Sequence, residues 1–349
     1  MIDVPTVFED SYATAQSVPF SDERAGFAGP VTVVREPYGV AVTILTYNGP
    51  LAYTGMKVLP ALLSGNVVIL KLPSETRLVA QYIAAAAEEA ELPPGVLSVL
   101  AAGAASSKYL VEHPGVDVVS FTGGTAVGSQ ILHSTADRIV KTTLELGGKS
   151  AGIVAGNMPT EDLLPALLPG LLPGLLPFQG QVCVALTRLL VPAGRRDEIV
   201  SALTGVFSSL RIGDALDPGS DFGPVAVSRT RDRCEDFVAS AVSEGATVAY
   251  GGRRPAGLDP GIDEAVAIAN DSPYGLTGAI FTHDGDLALS VGRRLRVGSF
   301  TVNSTGGVLG QPFGGYKRSG LGREMGLEGF REWTQTKSIQ LAPTMNYLG

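Results

Sequence analysis

Val40-Ala41-Val42-Thr43-Ile44-Leu45 is an almost unbroken apolar, β-branched run, and its reading decides the fold. A strand wetted on one face alternates in polarity; one that is apolar throughout is buried on both faces, as in a parallel sheet covered by helices. The turn Tyr47-Asn48-Gly49-Pro50 follows it, then an apolar helical segment over 51–63 and a second buried strand over 67–70, ending in Lys71. A helix over 80–91 leads to a strand over 96–100. A fourth strand, 116–120, runs into Phe121-Thr122-Gly123-Gly124-Thr125-Ala126-Val127-Gly128 and another helix. Residues 140–146 make a further strand, which contains Glu145 and is followed by Gly147-Gly148-Lys149. Strand and helix alternate, with polar or glycine-bearing residues after the strands. The pattern predicts a doubly wound α/β sheet with a binding crevice at its carboxyl edge.

Upstream, residues 1–20 are mixed in character, Ser21-Asp22-Glu23-Arg24 reads as surface, and 31–35 reads as a strand closed by the turn Glu36-Pro37-Tyr38-Gly39. Downstream lie strands over 186–191, 247–250, 279–282 and 299–303, and helices over 196–210, 228–244, 262–270 and 286–295. A glycine-rich loop over 312–324 precedes a last helix and strand. Between 163 and 177 Leu-Leu-Pro recurs, with prolines at 165, 169, 173 and 177. Proline in a helix interior costs about 3 kcal/mol, so no regular helix is expected there.

With 349 residues, 45% of them hydrophobic, the chain can bury a large core and fill two domains. Charged residues make up 17%, the formal net charge is -8, and no basic cluster is longer than Arg195-Arg196 or Arg253-Arg254. That argues against nucleic acid or an anionic membrane as partner. Two cysteines make no disulfide framework and no signal peptide opens the chain, so a reducing cytoplasm is expected. The three histidines lie far apart without metal spacing, and no metal site is expected. Proline and glycine interrupt every apolar stretch before the roughly 18 residues of a membrane span.

The strongest candidate for chemistry is Cys183, delivered by the polar loop Phe178-Gln179-Gly180-Gln181-Val182. A nucleophilic cysteine must reach its thiolate, so it needs partial exposure and a nearby base or oriented donors. Gly180 lets the backbone approach a substrate. The plainer alternative is a small buried hydrophobe. Gly148-Lys149-Ser150-Ala151-Gly152 matches the G-x-S-x-G nucleophile elbow of serine hydrolases, which requires a helix directly after the serine. Glycines at 152 and 156 and Pro159 stand where that helix would be, and the one histidine downstream is His283. The glycines at 123, 124 and 128 make neither G-x-G-x-x-G nor a P-loop, although a helix N-terminus after a glycine turn can hold phosphate.

Taken together, these stretches resemble the NAD(P)-dependent aldehyde dehydrogenase superfamily over nearly the whole chain. The resemblance is carried, in family order, by Tyr47-Asn48-Gly49-Pro50, Lys71 with Glu75, Phe121-Thr122-Gly123-Gly124-Thr125, Leu144-Glu145-Leu146-Gly147-Gly148-Lys149, Gly180-Gln181-Val182-Cys183, Asn303 and Pro312-Phe313-Gly314-Gly315. It implies an α/β fold with a Rossmann-type cofactor domain (1–18 and 39–147), an α/β catalytic domain (148–334) and a small β bridging element (19–38 and 335–349). It also implies oxidation of an aldehyde to a carboxylic acid, with Cys183 as nucleophile, Glu145 as the base acting on the hydrolytic water, and Asn48 as oxyanion donor. The implied cofactor residues are Thr46, Tyr47, Lys71, Glu75, Phe121, Thr122, Gly123, Gly124, Val127, Leu146 and Gly147, with Lys71 at the adenosine ribose and the two glycines beside the pyrophosphate. NADP is possible, but Glu75 would repel a 2′-phosphate, so NAD is expected. A bridging strand near 336–341 implies a homodimer or homotetramer.

The sequence departs from the family pattern in three places. The family's opening cofactor-domain helices are not expected in the stretch read here. The family segment with the ribose-holding Glu-x-Phe-Gly-Pro has no counterpart between Gly261 and Ile262, and Phe222-Gly223-Pro224 lies too early to replace it. The Leu-Leu-Pro run occupies the helix before the catalytic loop. A second expectation follows: a truncated, catalytically impaired relative that acts as a binding or assembly subunit.

Overall fold

The computed structural model describes residues 3–27, 29–166, 178, 180–211, 216–221, 223, 225–246, 248–250, 252–253, 266, 268–304 and 310–340. The chain divides into two compact units. One comprises Ile2–Leu146, Val308–Gly315 and Ser319–Gly349; the other comprises Gly147–Gly307 and Tyr316–Arg318.

The first unit opens with a helix, α1 (Val4–Ser17), where the sequence reading assigned no element. Its inward positions Val7, Ser11 and Ala15 include a serine, which weakens the apolar periodicity. Strands β1 (Ser21–Gly26) and β2 (Gly29–Pro37) form a hairpin. Then come β3 (Val40–Ile44), β4 (Val67–Leu72), β5 (Leu97–Ala101), β6 (Val118–Gly123) and β7 (Lys141–Leu146), parallel to one another. The helix Ala104–Glu112, between β5 and β6, is an element the sequence reading missed.

The second unit contains β8 (Ser150–Val154), β9 (Leu186–Leu190), the short pair β10 (Val248–Tyr250) and β11 (Gly252–Arg253), β12 (Thr277–Phe281) and β13 (Ser299–Val302). Its main sheet runs β13-β12-β8-β9, all parallel. The chain then returns to the first unit with β14 (Gly320–Leu321) and β15 (Thr334–Gln340). There the large sheet has the order β14-β7-β6-β3-β4-β5, with β14 antiparallel, while β15 joins β2 in the sheet β1-β2-β15.

Both faces of the large sheet are buried, which explains the apolar run at 40–45. Ala41, Leu45, Val68, Leu70 and Val118 pack on one face; Val42, Ile44, Val119, Phe121 and Leu144 pack on the other. The expected helix over 51–63 has three parts: Pro50–Tyr53, a π-helical turn Thr54–Val58, and Leu59–Leu63. Pro60 has no N–H to donate four residues back, and its ring crowds the Met56 carbonyl, which accounts for the widened turn.

The structure agrees with the sequence reading against a nucleophile elbow at Ser150. Ser150 begins a strand rather than preceding a helix, and its Oγ lies buried 2.8 Å from Thr277 Oγ1. The first Leu-Leu-Pro also departs from expectation, because 160–166 is helical through Pro165 and Leu163 is fully buried. Residues 167–177, the rest of the run, lie outside the described residues. Of the helix expected over 262–270, residues 266 and 268–270 are described and are helical. Among the described residues no helix is long and apolar enough to cross a membrane.

Candidate active site

In the second unit, the loop before β9 is held by its own polar groups. Gly180 takes φ +77°, a conformation that favours glycine. Gln181 donates its backbone N–H (2.8 Å) and its Nε2 (3.0 Å) to the Phe178 carbonyl, and its Oε1 accepts from Ala226 N at 3.1 Å. Cys183, half-buried and outside any disulfide, follows directly. A Cβ on Gly148 would sit 3.0 Å from the Cys183 carbonyl oxygen, so the glycine lets the cysteine loop close onto the start of β8.

In the first unit, Thr46, Tyr47 and Asn48 follow β3 and are half-buried, with Tyr47 and Asn48 in the turn. Lys71 pairs across the sheet with Ile44 and is buried; burial lowers its pKa, and the Glu75 charge opposes that shift. Glu75 itself is exposed in the turn Ser74–Thr76. Thr122 and Gly123 end β6, and a Cβ on Gly123 would strike the Phe121 ring at 2.4 Å. Gly124 caps the helix Thr125–Ala136, which has no side-chain cap and no acidic residue in its first turn. Val127 is exposed on that turn. The Phe121 and Leu146 side chains lie in the core under the sheet, and Gly147 is half-buried just after β7.

These groups fit a dinucleotide. The helix end is electropositive and open to phosphate. The Thr122 hydroxyl is buried without a hydrogen-bond partner among the described residues, and the Lys71 ammonium supplies a cation for ribose or phosphate oxygens.

Glu145, on β7, is 5% exposed, and neither of its carboxylate oxygens has a hydrogen-bond partner among the described residues. Burial pushes its pKa well above the ordinary carboxylate range and the neighbouring Glu324 adds to the shift, while Lys57 and Arg323 oppose it. Glu324 is buried and ion-paired with Lys57, which is fully buried in the π-helical turn; burial also raises the Glu324 pKa, against the Lys57 charge. Lys57 Nζ donates a second hydrogen bond, 2.9 Å, to Ser120 Oγ.

The Pro312-Phe313-Gly314-Gly315 stretch has its reason here. Phe313 and Glu324 exchange two backbone hydrogen bonds of 2.7 Å, and a Cβ on Gly314 would lie 3.0 Å from Glu145 Oε1. Sequence reasoning missed Lys57, Ser120, Arg323 and Glu324 as a group. The available signal was Lys57, the one charged residue in the apolar segment 51–63, since a buried ammonium requires a partner.

The sequence profile of the Aldehyde dehydrogenase family matches residues 12–262 and 260–339. The two blocks meet where the sequence reading placed the missing segment. A geranial dehydrogenase of Castellaniella defragrans is 37% identical over 360 residues, covering 94% of this chain and 74% of its own. A putative aldehyde dehydrogenase of Staphylococcus epidermidis is 33% identical over 93% of this chain and 74% of its own. Among solved structures, a Mycobacterium tuberculosis aldehyde dehydrogenase complexed with NAD+ superposes with TM-score 0.89 at 34% identity, over 98% of this chain and 80% of that one. A betaine aldehyde dehydrogenase from Staphylococcus aureus in complex with NAD+ superposes with TM-score 0.90 at 29% identity, over 99% and 76%.

Proposed function

The chain belongs to the aldehyde dehydrogenase family, and from that premise we infer that it oxidises an aldehyde to a carboxylic acid with NAD. The observation that carries the inference is the Glu145 carboxyl, buried near the carboxyl end of the parallel strand β7 and without a hydrogen-bond partner among the described residues. A carboxylate with a raised pKa in such a place is suited to take a proton from water near neutral pH.

In this reading the Cys183 thiolate adds to the aldehyde carbonyl, forming a C–S bond while the carbonyl electron pair moves to oxygen. The Asn48 amide stabilises that oxyanion; one such donor is worth about 2.7 to 4 kcal/mol. NAD, when bound, supplies the hydride acceptor that converts the adduct to a thioester. Glu145 then removes a proton from water, whose oxygen attacks the thioester; the C–S bond breaks, releasing the carboxylic acid and the Cys183 thiolate. Lys71 and the N-terminus of Thr125–Ala136 hold the nucleotide, and Glu75 disfavours a 2′-phosphate. Partner copies joined through β15 would give a homodimer or homotetramer.

The test is NADH formation, followed by its ultraviolet absorbance, with a panel of aliphatic and aromatic aldehydes on wild type and Cys183→Ala. Turnover lost in the variant is the expected result. The two-block family match favours one further reading, the impaired binding or assembly subunit. Nucleotide binding without turnover of any aldehyde would select it.

A further inference from the structure

Lys57 enters the Glu145 cluster by an unusual route. It lies in the π-helical turn Thr54–Val58, and α1 rests directly on that turn. Ser11 Oγ of α1 donates 2.9 Å to the Gly55 carbonyl, and a Cβ on Gly55 would fall 2.8 Å from the Phe8 ring and 2.9 Å from Val7. A π-turn inserts one residue into a helix and so changes which side chain meets the sheet, and such turns often mark functional sites. Here the side chain presented is an ammonium with no exposed surface.

Strand register says where that ammonium is tied. On β6 and β7, Ser120 pairs with Thr143 and Thr122 with Glu145. Alternate residues share a face, so Ser120 and Glu145 project from the same side of the sheet. Of the two anchors on Lys57 Nζ, Glu324 is a carboxylate reached through the loop after β14, and Ser120 is fixed to the sheet beside Glu145.

We infer that Ser120 is a positioning residue: its hydroxyl, with the π-turn braced by α1, holds the Lys57 ammonium on the sheet face from which Glu145 projects. The inference rests on the proposed role of Glu145 as base. The charged groups facing Glu145 are Glu324, Lys57 and Arg323, and Lys57 is the one Ser120 controls. Without the hydroxyl, the ammonium follows Glu324 alone. Glu145 then loses part of the field that favours its ionised form, and its titration moves to higher pH.

The experiment reads that titration directly, from the infrared band of the protonated carboxyl that Glu145→Gln removes, in the full chain. Ser120→Ala is expected to raise the midpoint of the band by about one pH unit, the equivalent of one hydrogen bond to a charged group. Ser120→Cys, close in size but a weak acceptor, should raise it part of the way and covers the case of an unstable alanine variant. Ser120→Thr, which keeps the hydroxyl, should restore it. A midpoint unmoved in the alanine and cysteine variants overturns the inference, as does an equal shift in the threonine variant. NADH formation by wild type is scored separately. Its absence overturns the dehydrogenase reading, and the carboxyl band still decides the role of Ser120.

Discussion

Two regions of the molecule draw charge out of water, one part of the way and one fully, and they spend it differently. In the second unit Arg188 gives Nε to the Lys149 carbonyl (2.9 Å) and its terminal nitrogens to the carbonyls of Ile268 and Ala269 (3.2 Å each), while Lys317 Nζ donates to the carbonyls of Asn270 (2.7 Å) and Ser272 (3.0 Å). Burial lowers the pKa of both cations, against the opposing pull of Asp271. In the first unit the Glu145 carboxylate, which is fully buried where those two cations are half-buried, accepts no hydrogen bond among the described residues. Half-buried charges saturated with hydrogen bonds tie strands and helix ends together. An unsaturated one costs stability, and its retention points to chemistry.

The sharpest way to break this contrast is Glu145→Gln. If Glu145 is the base, steady-state oxidation should fall by about a thousandfold, while a first-turnover burst of NADH persists because the base acts after hydride transfer. Thermal unfolding should be unchanged or shifted upward, since a buried acid without partners is removed. A melting temperature that falls by several degrees would show Glu145 to be structural. Arg188→Met should behave in the opposite way. It strips three hydrogen bonds from backbone carbonyls, so stability should drop by about 3 kcal/mol, measured by denaturant titration, while the rate per folded molecule changes far less than in Glu145→Gln.

Much of this contrast was legible in the sequence, and the illegible part has a physical reason. The two-sided burial of 40–45 and the motif order fixed the parallel sheet, the position of Glu145 on its strand and the cysteine loop. The group around Glu145 was not legible, because Lys57, Ser120 and Glu324 are brought together from positions far apart in sequence by strand register and a returning loop. The π-turn was hidden as well: Leu51 to Leu63 reads as one apolar helix, and Pro60 within it is the residue that signals a break. Ser11 blurred the face of α1. The side chains of Phe121 and Leu146, expected beside the cofactor because their motifs border it, are turned into the core by strand alternation, which leaves their backbone as the part that could border it.

The contrast is sharpened further by pH. Glu145 and Glu324 both titrate above their unfolded values, near ~4.3 for glutamate, so in that window the folded state binds more protons than the unfolded one. Stability therefore falls as pH rises from the unfolded pKa through the raised folded ones, by up to about 1.4 kcal/mol per unit for each group. Glu145→Gln should remove its share of that slope and leave the Glu324 share, as unfolding measured across the acid range would reveal. A slope unchanged in the variant would mean that Glu145 is ordinary.

The smallest expected effect belongs to Ser150, a polar group that sides with Arg188 rather than with Glu145. Its hydroxyl is within 2.8 Å of Thr277 Oγ1, and Thr277 lies on β12, paired in parallel with β8. The bond closes a buried pair of hydroxyls between neighbouring strands, and a satisfied pair of this kind contributes about 1 kcal/mol. Ser150→Ala should accordingly lower stability by about that amount, partly because Thr277 keeps a buried hydroxyl. Ester hydrolysis by the protein should be unchanged, because the strand that Ser150 opens leaves no helix after it to build a nucleophile elbow. Hydrolysis lost in Ser150→Ala and retained in Cys183→Ala would reverse the assignment of the nucleophile. It would also show that a hydroxyl with its hydrogen bond made can still be the reactive group, which would remove hydrogen-bond saturation as the test that separates Glu145 from Arg188.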